Sequence, residues 1–264
     1  GVLRLQMNKT DKNDAQGLAQ IMRCNWYKEV TIKSFENHES RALFRTRSNL
    51  VSMRTDVVNQ IRGMLKTFGI LIKGIAGVSF ENRVQEIIAD RTALAAPLQV
   101  QLDLLRVIKQ KIDDLDELVL DHAYASQDCR VLMTIPGVGA MTAANFVLAV
   151  YDAERFKTSK SVGAYFGLTP RRRQSGEMDY NGRISKRGDR VIRHQLYEAA
   201  NSILTRVKKP SSLQAWGLRI AKRSGMKKAR IAVARKLAVI MHQMLQTGEL
   251  FCFNHATGER AIYA

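Results

Sequence analysis

The chain has 264 residues, which is enough for one large domain or two smaller domains with their own hydrophobic cores. Its formal net charge of +18 points first to a nucleic acid as partner and second to an anionic membrane surface. Three widely separated cysteines, five histidines without metal-ligand spacing and the lack of a long apolar run exclude a disulfide scaffold, a zinc module and a membrane-spanning chain, and they indicate a reducing compartment.

The first predicted element is a short helix over residues 11–23, with Thr10 or Asp11 as its N-cap. Asp11 and Asp14 are three residues apart, so both carboxylates lie on one face of the first turn. A divalent cation between them would allow both to stay ionised. Ordinary N-terminal helix chemistry explains the same pair, and the spacing alone does not decide between the two.

Residues 38–68 show a second, longer helical period, and the glycine-rich stretch 69–80 predicts a turn. The helical pattern resumes over 81–95, Pro97 is expected to interrupt it, and a stronger helix is expected over 98–122. An a/d-like apolar stripe runs along that last helix, formed by Leu102, Leu105, Ile108, Ile112, Leu115 and Val119. These segments predict an antiparallel helical hairpin or coiled-coil arm whose stripe is either core or an oligomer seam.

A second domain is expected to begin near residues 123–130. There an apolar helix end, the sequence Pro136-Gly137-Val138-Gly139 and a helix starting near Thr142 predict a helix-hairpin-helix unit. Gly137 and Gly139 permit tight backbone geometry, and the free N–H groups at the next helix start can bind a phosphate. The other interpretation is a plain turn between two packed helices.

The positive charge is concentrated after this point, since residues 160–235 contain nineteen Lys and Arg against four acidic residues. Within this region, residues 167–190 show neither a helical nor a strand period and predict a loop or short hairpin that contacts a polyanion. A single Ser-Gly pair, Ser175-Gly176, lies among cations that can engage phosphates: Arg171, Arg172, Arg173, Arg183, Lys186, Arg187 and Arg190.

Ser175 has two interpretations. It can attack a phosphodiester while the arginines stabilise the developing charge, or it can be a turn serine in a DNA-contact loop. Beyond it, helices are predicted over 188–205 and 213–246, joined by a linker around Pro210. The tail from Thr247 is expected to be irregular.

Three blocks of sequence resemble the DEDD-type insertion-sequence transposases, the group named for the IS-one-ten element that includes the Piv DNA invertases. KTDKNDAQGLA, residues 9–19, resembles the second half of the family's DEDD motif, and IPGVGAMTAANFVLAV, residues 135–150, resembles its helix-hairpin-helix. Residues 154–200, from ERFKTSKSVGAYFGLTPRRR to LYEAA, resemble the signature of its transposase domain. The resemblance spans nearly the whole chain.

The resemblance implies a mainly α chain: a remnant of a RuvC-like (RNase H-like) domain over 1–34, a helical arm over 35–125, and an α-rich C-terminal transposase domain over 126–264. It also implies that Ser175 is the nucleophile of DNA recombination and that Asp11 and Asp14 are ligands of Mg²⁺. The partners it implies are DNA, an RNA encoded by the element and further copies of the chain, in the bacterial cytoplasm at the nucleoid.

One departure from the family is expected to matter. The first Asp and the Glu of the DEDD motif should precede Asp11, and the chain begins too late to hold them, as a fragment or a decayed element would. A non-catalytic helix-hairpin-helix protein that binds nucleic acid is therefore the alternative function. A membrane-surface protein is disfavoured, because the basic residues are interrupted by Gly and Pro rather than arranged on one amphipathic helix.

Overall fold

Ten α-helices and two small two-stranded sheets make up the computed structural model, which describes residues 10–27, 29–74, 76–254 and 257–261. The mainly α fold class is thereby confirmed. The chain divides into two units, Gly1–Phe35 and Glu36–Ala264, and each is considered by itself. Lys9, the first residue of the DEDD-like block, lies outside the described residues.

The described part of the first unit holds one helix, α1 (Asp11–Arg23). Thr10 is its N-cap, with the side-chain oxygen accepting a hydrogen bond from the Asn13 N–H at 3.2 Å. The predicted bounds and the Thr10 cap are confirmed, because a hydroxyl cap and two first-turn carboxylates satisfy the free N–H groups and the dipole of a helix start. The RuvC-like origin of this unit stays a prediction.

The second unit begins with three helices that form the arm: α2 (Phe35–Thr67, whose first residue belongs to the first unit), α3 (Val78–Asp90) and α4 (Ala95–Ala125). Phe44 contacts His122 at a ring distance of 5.6 Å, and Arg47 bonds Asp116, so α2 and α4 run antiparallel. The arm has its own core, which includes most of the predicted α4 stripe. Its buried members are Val57, Ile61, Leu65, Ile72, Phe80, Val84, Ile87, Leu94, Leu98, Leu102, Leu105, Ile108 and Ile112. The stripe is therefore internal core rather than an oligomer seam.

Pro97 does not interrupt a helix, and that prediction was wrong. The break lies earlier, at Arg91 and a 3₁₀ turn, Thr92–Leu94, while Pro97 occupies the first turn of α4. A proline is tolerated there because the N–H that it lacks would have no partner within the helix. The pattern read as helix over 81–95 therefore ends at Asp90.

A second core lies behind six further helices: α5 (Gln127–Met133), α6 (Ala140–Val150), α7 (Lys160–Tyr165), α8 (Arg190–Thr205), α9 (Ser212–Ser224) and α10 (Met226–Thr247). Its centre is α10, which buries Val233, Leu237, Met241 and His242 among others. Phe44, Val119 and Ala123 belong to the same core, so the base of the arm is packed into it. The division at residue 125 stays a prediction.

Two short β-hairpins complete this unit. The first pairs β1 (Pro170–Ser175) with β2 (Met178–Ile184), and the second pairs β3 (Cys252–Asn254) with β4 (Glu259–Arg260). The irregular tail expected from Thr247 was wrong, since Phe251 and Phe253 are buried in the core and hold this segment in place. The helical stretch predicted over 213–246 divides at Gly225, which has a φ of +83°.

Candidate functional site

The basic segment 167–190 is built around the β1–β2 hairpin, with Gly176 and Glu177 as its two-residue loop. Gly176 has a φ of +55°, and a two-residue loop with positive φ at its first position matches the right-handed twist of the strands. The prediction of a short hairpin over this stretch is confirmed. Every residue of β1 is exposed, and so is β2 up to Arg183, so the hairpin is a projecting ribbon.

Ser175 is the last residue of β1 and stands beside the loop, across from Met178. Side chains alternate along a strand, so Ser175 and Arg173 lie on the same face of the ribbon, with Tyr180 opposite Arg173. The Arg173 guanidinium donates to the Tyr180 hydroxyl at 3.3 Å. The Ser175 hydroxyl is exposed, and no described side chain offers it a base.

Arg172 lies on the other face and is bound to Asp179. Its Nε and Nη2 donate to the two carboxylate oxygens at 2.8 and 2.6 Å. This bidentate bond lowers the pKa of Asp179 and raises the pKa of Arg172. A phosphate would have to compete with Asp179 for this guanidinium, which sets Arg172 apart from the other cations of the hairpin.

Four further cations lie exposed on β2 and at the foot of the hairpin: Arg183, Lys186, Arg187 and Arg190. Arg171 is turned inward along the backbone, with its Nη2 donating to the Ser185 carbonyl at 3.0 Å. The hairpin therefore presents mobile-length cationic side chains at its foot and one hydroxyl at its tip, which suits a phosphate backbone lying along it.

Two glycines form the foot of the hairpin. Gly167 and Gly188 have φ values of +69° and +77°, and the two chain segments cross there in backbone contact. A Cβ atom on Gly167 would lie closer than 3.0 Å to the Arg187 carbonyl oxygen, and one on Gly188 would meet the Tyr165 carbonyl oxygen in the same way. Only glycine allows this crossing, and the crossing sets the direction in which the hairpin leaves the helical core.

Arg193 of α8 holds the same crossing, and reasoning from the sequence missed it. Its Nη1 lies 3.1 Å from the carbonyl oxygens of Phe166 and Arg187 and 3.4 Å from that of Asp189. Asp189 caps α8 by accepting from the N–H groups of Val191 and Ile192 at 2.8 and 3.3 Å. The hairpin is thus fastened to the start of α8 by one guanidinium and one helix cap.

The predicted helix-hairpin-helix corresponds to α5, a turn over residues 134–139, and α6. Gly137 has a φ of +87°, and a Cβ atom there would approach the Ala199 carbonyl oxygen to 3.2 Å, so this turn packs on α8. Gly139 is the N-cap of α6 and has no side chain to accept from the first-turn N–H groups. Those groups remain available to an anion, as the sequence interpretation requires.

Asp11 and Asp14 lie in the first turn of α1, within the other unit. Asp11 is exposed and Asp14 is half-buried. Among the described residues, no group of three or more His, Cys, Asp or Glu side chains could hold a metal ion. Two carboxylates on one helix face still suit Mg²⁺, which keeps several waters and takes only one or two carboxylates from many proteins.

Comparison with known proteins connects these two parts of the chain. A family model of DEDD transposases of the IS110 type matches residues 2–70, and one described as the transposase IS116/IS110/IS902 family matches residues 129–216. The transposase for insertion sequence element IS1111A of Coxiella burnetii is 31% identical over 252 residues, which cover 94% of this chain and 69% of that protein. This chain belongs to the IS110 family of transposases.

Two other relatives show the breadth of the IS110 family. The transposase for insertion sequence element IS1328 of Yersinia enterocolitica is 27% identical over 94% of this chain and 75% of its own length. The pilin gene-inverting protein of Moraxella bovis is 28% identical over 46% of this chain and 38% of its own length. The family thus includes proteins named as transposases and one named for inverting a gene.

The two family matches coincide with the two candidate sites of this IS110-family chain. The first match contains Asp11 and Asp14, and the second contains Gly137, Gly139 and the whole hairpin with Ser175. Across the described residues, no helix has both the length and the apolar character that crossing a membrane requires.

Proposed function

We propose that this chain is the DNA-cleaving and rejoining enzyme of an insertion sequence, with Ser175 as its nucleophile. The observation that carries this proposal is the exposed Ser175 hydroxyl at the tip of a ribbon whose foot bears Arg183, Lys186 and Arg187. The hydroxyl oxygen would form a bond to phosphorus as a phosphorus–oxygen bond of the DNA strand breaks, and the released deoxyribose oxygen would take a proton. Attack by that oxygen on the phosphoserine reverses the step and rejoins DNA.

Asp11 and Asp14 would hold Mg²⁺ in this function. The bound ion supplies a Lewis acid that withdraws charge from a phosphate oxygen. The cations of the hairpin, from Arg171 to Arg190, contribute in the same sense, because guanidinium groups neutralise the charge that develops on the phosphate. An RNA encoded by the element, as the family resemblance implies, would choose the DNA sites.

The test of this function is a covalent adduct. The chain is incubated with end-labelled duplex carrying an element end and Mg²⁺, then denatured in detergent and separated on a gel. The proposal expects a labelled, protease-sensitive band that disappears with EDTA and maps to Ser175 by mass spectrometry.

The alternative function is a DNA-binding helix-hairpin-helix protein without catalysis. It is favoured by the metal-ligand search, which finds no third ligand for Asp11 and Asp14 among the described residues. Tight binding to the same duplex without any adduct in Mg²⁺ supports this alternative over the enzyme.

The free cations of the hairpin foot give a prediction on salt dependence. Replacing Arg183, Lys186 and Arg187 by alanine should reduce the slope of log K against log salt by about 2.7, because each lost phosphate contact releases about 0.9 fewer counterions. The measurement is fluorescence anisotropy of labelled duplex across a salt series. The double variant Arg172→Ala with Asp179→Ala is the matched control, since it removes a neutral pair. An unchanged slope in the triple variant would show that these cations do not contact phosphates.

The arm supports a proposal about assembly. With the predicted stripe buried, a second apolar stripe lies exposed on α4, formed by Val100, Leu104, Val107 and Leu118 at 67, 44, 59 and 52% exposure. Lys111 and Asp114 complete its alternating spacing of four and three residues, and they bond each other at 2.8 Å. This spacing is that of a coiled-coil seam, and we infer that it pairs with a second copy of the chain.

Placing charge on this second stripe should separate the copies. The double variant Leu104→Glu with Val107→Glu should sediment as a monomer at concentrations where the wild type is a dimer or larger, because burying two carboxylates in a seam is costly. Leu120→Glu is the control, since Leu120 is equally exposed at 44% on the same helix but lies off the stripe. A double variant that sediments like the wild type contradicts the assignment.

A further inference from the structure

A groove of about 700 Å³ lies between α9, α10 and the start of the C-terminal hairpin. Leu213 and Phe251 form its apolar floor, and both are buried in the core. Trp216, which is half-buried and packs against that core, forms one wall. None of the proposed cleavage residues lines this groove.

The rim of the groove is polar. Lys236, Gln243 and Gln246 are exposed and lie on the α10 side. An aromatic face, two amides and an ammonium group are the groups that proteins use on an unpaired nucleotide: the ring stacks on the base, the amides bond the base edge, and the ammonium meets the phosphate.

The surrounding charge favours a polyanion over a peptide or an uncharged ligand. Residues 199–248, which include α9 and α10, contain eleven Lys and Arg and no Asp or Glu. The carboxylate that lines the groove, Glu249, is bonded to Arg260 at 2.9 Å. A strand with negative phosphates is therefore attracted to this face, and its apolar, aromatic parts can enter the groove.

One hydroxyl of the groove is held in a defined orientation. Ser159 lines the groove, and its oxygen lies 3.0 Å from Nδ1 of the fully buried His242. Nε2 of that ring lies 2.9 Å from the Ala153 carbonyl oxygen, which can only accept, so Nε2 carries the proton. In the neutral ring Nδ1 then accepts from Ser159, and the Ser159 oxygen keeps its lone pairs for a donor on a base edge.

We propose that this groove, lined by Trp216, Lys236, Gln243, Gln246 and Ser159, holds one unpaired base of a single DNA strand. The base has to be unpaired, because the faces of bases inside a duplex are covered by their neighbours and cannot stack on Trp216. The proposal rests on the proposed function, since strand cleavage and exchange expose single-stranded DNA. It adds a site for the strand that leaves the duplex.

The test uses Trp216 as its own reporter. The chain has two tryptophans, so Trp26→Phe leaves Trp216 as the single emitter. Adding a twelve-residue thymidine oligonucleotide should quench this emission, and an oligonucleotide with one 5-bromouracil should crosslink to Trp216 under ultraviolet light. In the otherwise native chain, Trp216→Leu should weaken single-strand binding about tenfold and leave duplex binding unchanged, because one base loses its stacking partner.

Two further variants separate stacking from folding. Trp216→Phe keeps an aromatic face and should restore most of the affinity, and Leu218→Ala, at 44% exposure on the same helix, should have no effect. Single-strand affinity that is unchanged in Trp216→Leu overturns the proposal, as does binding without quenching. Tighter binding of the matching uridine RNA, with equal quenching, overturns the assignment to DNA. Duplex binding and the covalent adduct are measured in parallel: if they persist while quenching fails, only the base site is wrong, and if every DNA form fails to bind, the proposed function fails as well.

Discussion

Replacing Ser175 by alanine should abolish the covalent adduct between protein and DNA while duplex affinity stays within about twofold of the wild type. The adduct should fall by at least about 10³-fold, because removing a nucleophile takes away the step itself and leaves only binding and charge stabilisation. Affinity should persist, because the cations at the foot of the hairpin are untouched and Ser175 stands at the exposed tip. The measurements are the denaturing-gel adduct assay with Mg²⁺ and anisotropy of the same labelled duplex.

Ser185→Ala is the matched control for this experiment. Ser185 follows β2 at the foot of the same hairpin, and its carbonyl rather than its hydroxyl accepts from Arg171. The control should form the adduct at the wild-type level. If Ser175→Ala still forms the adduct, the nucleophile is another hydroxyl, and Ser159, which already contacts His242, is the next to replace.

Gly167→Ala should be the most damaging single substitution at the foot of the hairpin. We expect the free energy of unfolding to fall by about 3 kcal/mol or more, because a Cβ atom would overlap the Arg187 backbone and an alanine would be strained at a φ of +69°. Backbone atoms cannot rotate away as a flexible side chain can, so the crossing has to open. Urea unfolding gives the free energy, and the rate of tryptic cleavage at Arg171 to Arg173 reports whether the hairpin has come loose.

Gly182→Ala provides the comparison within the same hairpin. Its Cβ atom would meet the Arg171 carbonyl oxygen at 3.5 Å, which is ordinary contact, and its φ is not in the positive region. Its unfolding free energy should stay within about 1 kcal/mol of the wild type. A Gly167→Ala chain that is equally stable and equally resistant to trypsin would show that the crossing is not the constraint inferred from the structure.

Local sequence signals identified the helices with strong caps or periods. Thr10 and the first-turn carboxylates marked the start of α1, and the a/d period marked α4. The same signals failed at Pro97 and in the tail. A proline is read as a break unless the helix is known to begin just before it, and the tail is ordered by burial of Phe251 and Phe253 rather than by any period of its own.

The candidate site divides in the same way. A Ser-Gly pair among arginines could be read directly, and the hairpin could be expected from it. Arg193 could not be found, because its partners are three backbone carbonyls that carry no residue identity and converge only when the chain folds. The pairing of Arg172 with Asp179 depends on strand register, so the sequence could not separate this arginine from its neighbours.

By itself, the sequence determined the basic character of the chain, its helical content and the residue types that family chemistry requires, since charge, period and motif are properties of neighbouring residues. Only the tertiary structure decided which α4 stripe is core, which arginine is already bound to a carboxylate, and that Trp216, Ser159 and Lys236 line one groove. Those outcomes depend on contacts between residues far apart in the chain, and such contacts are set by packing and register rather than by local preference.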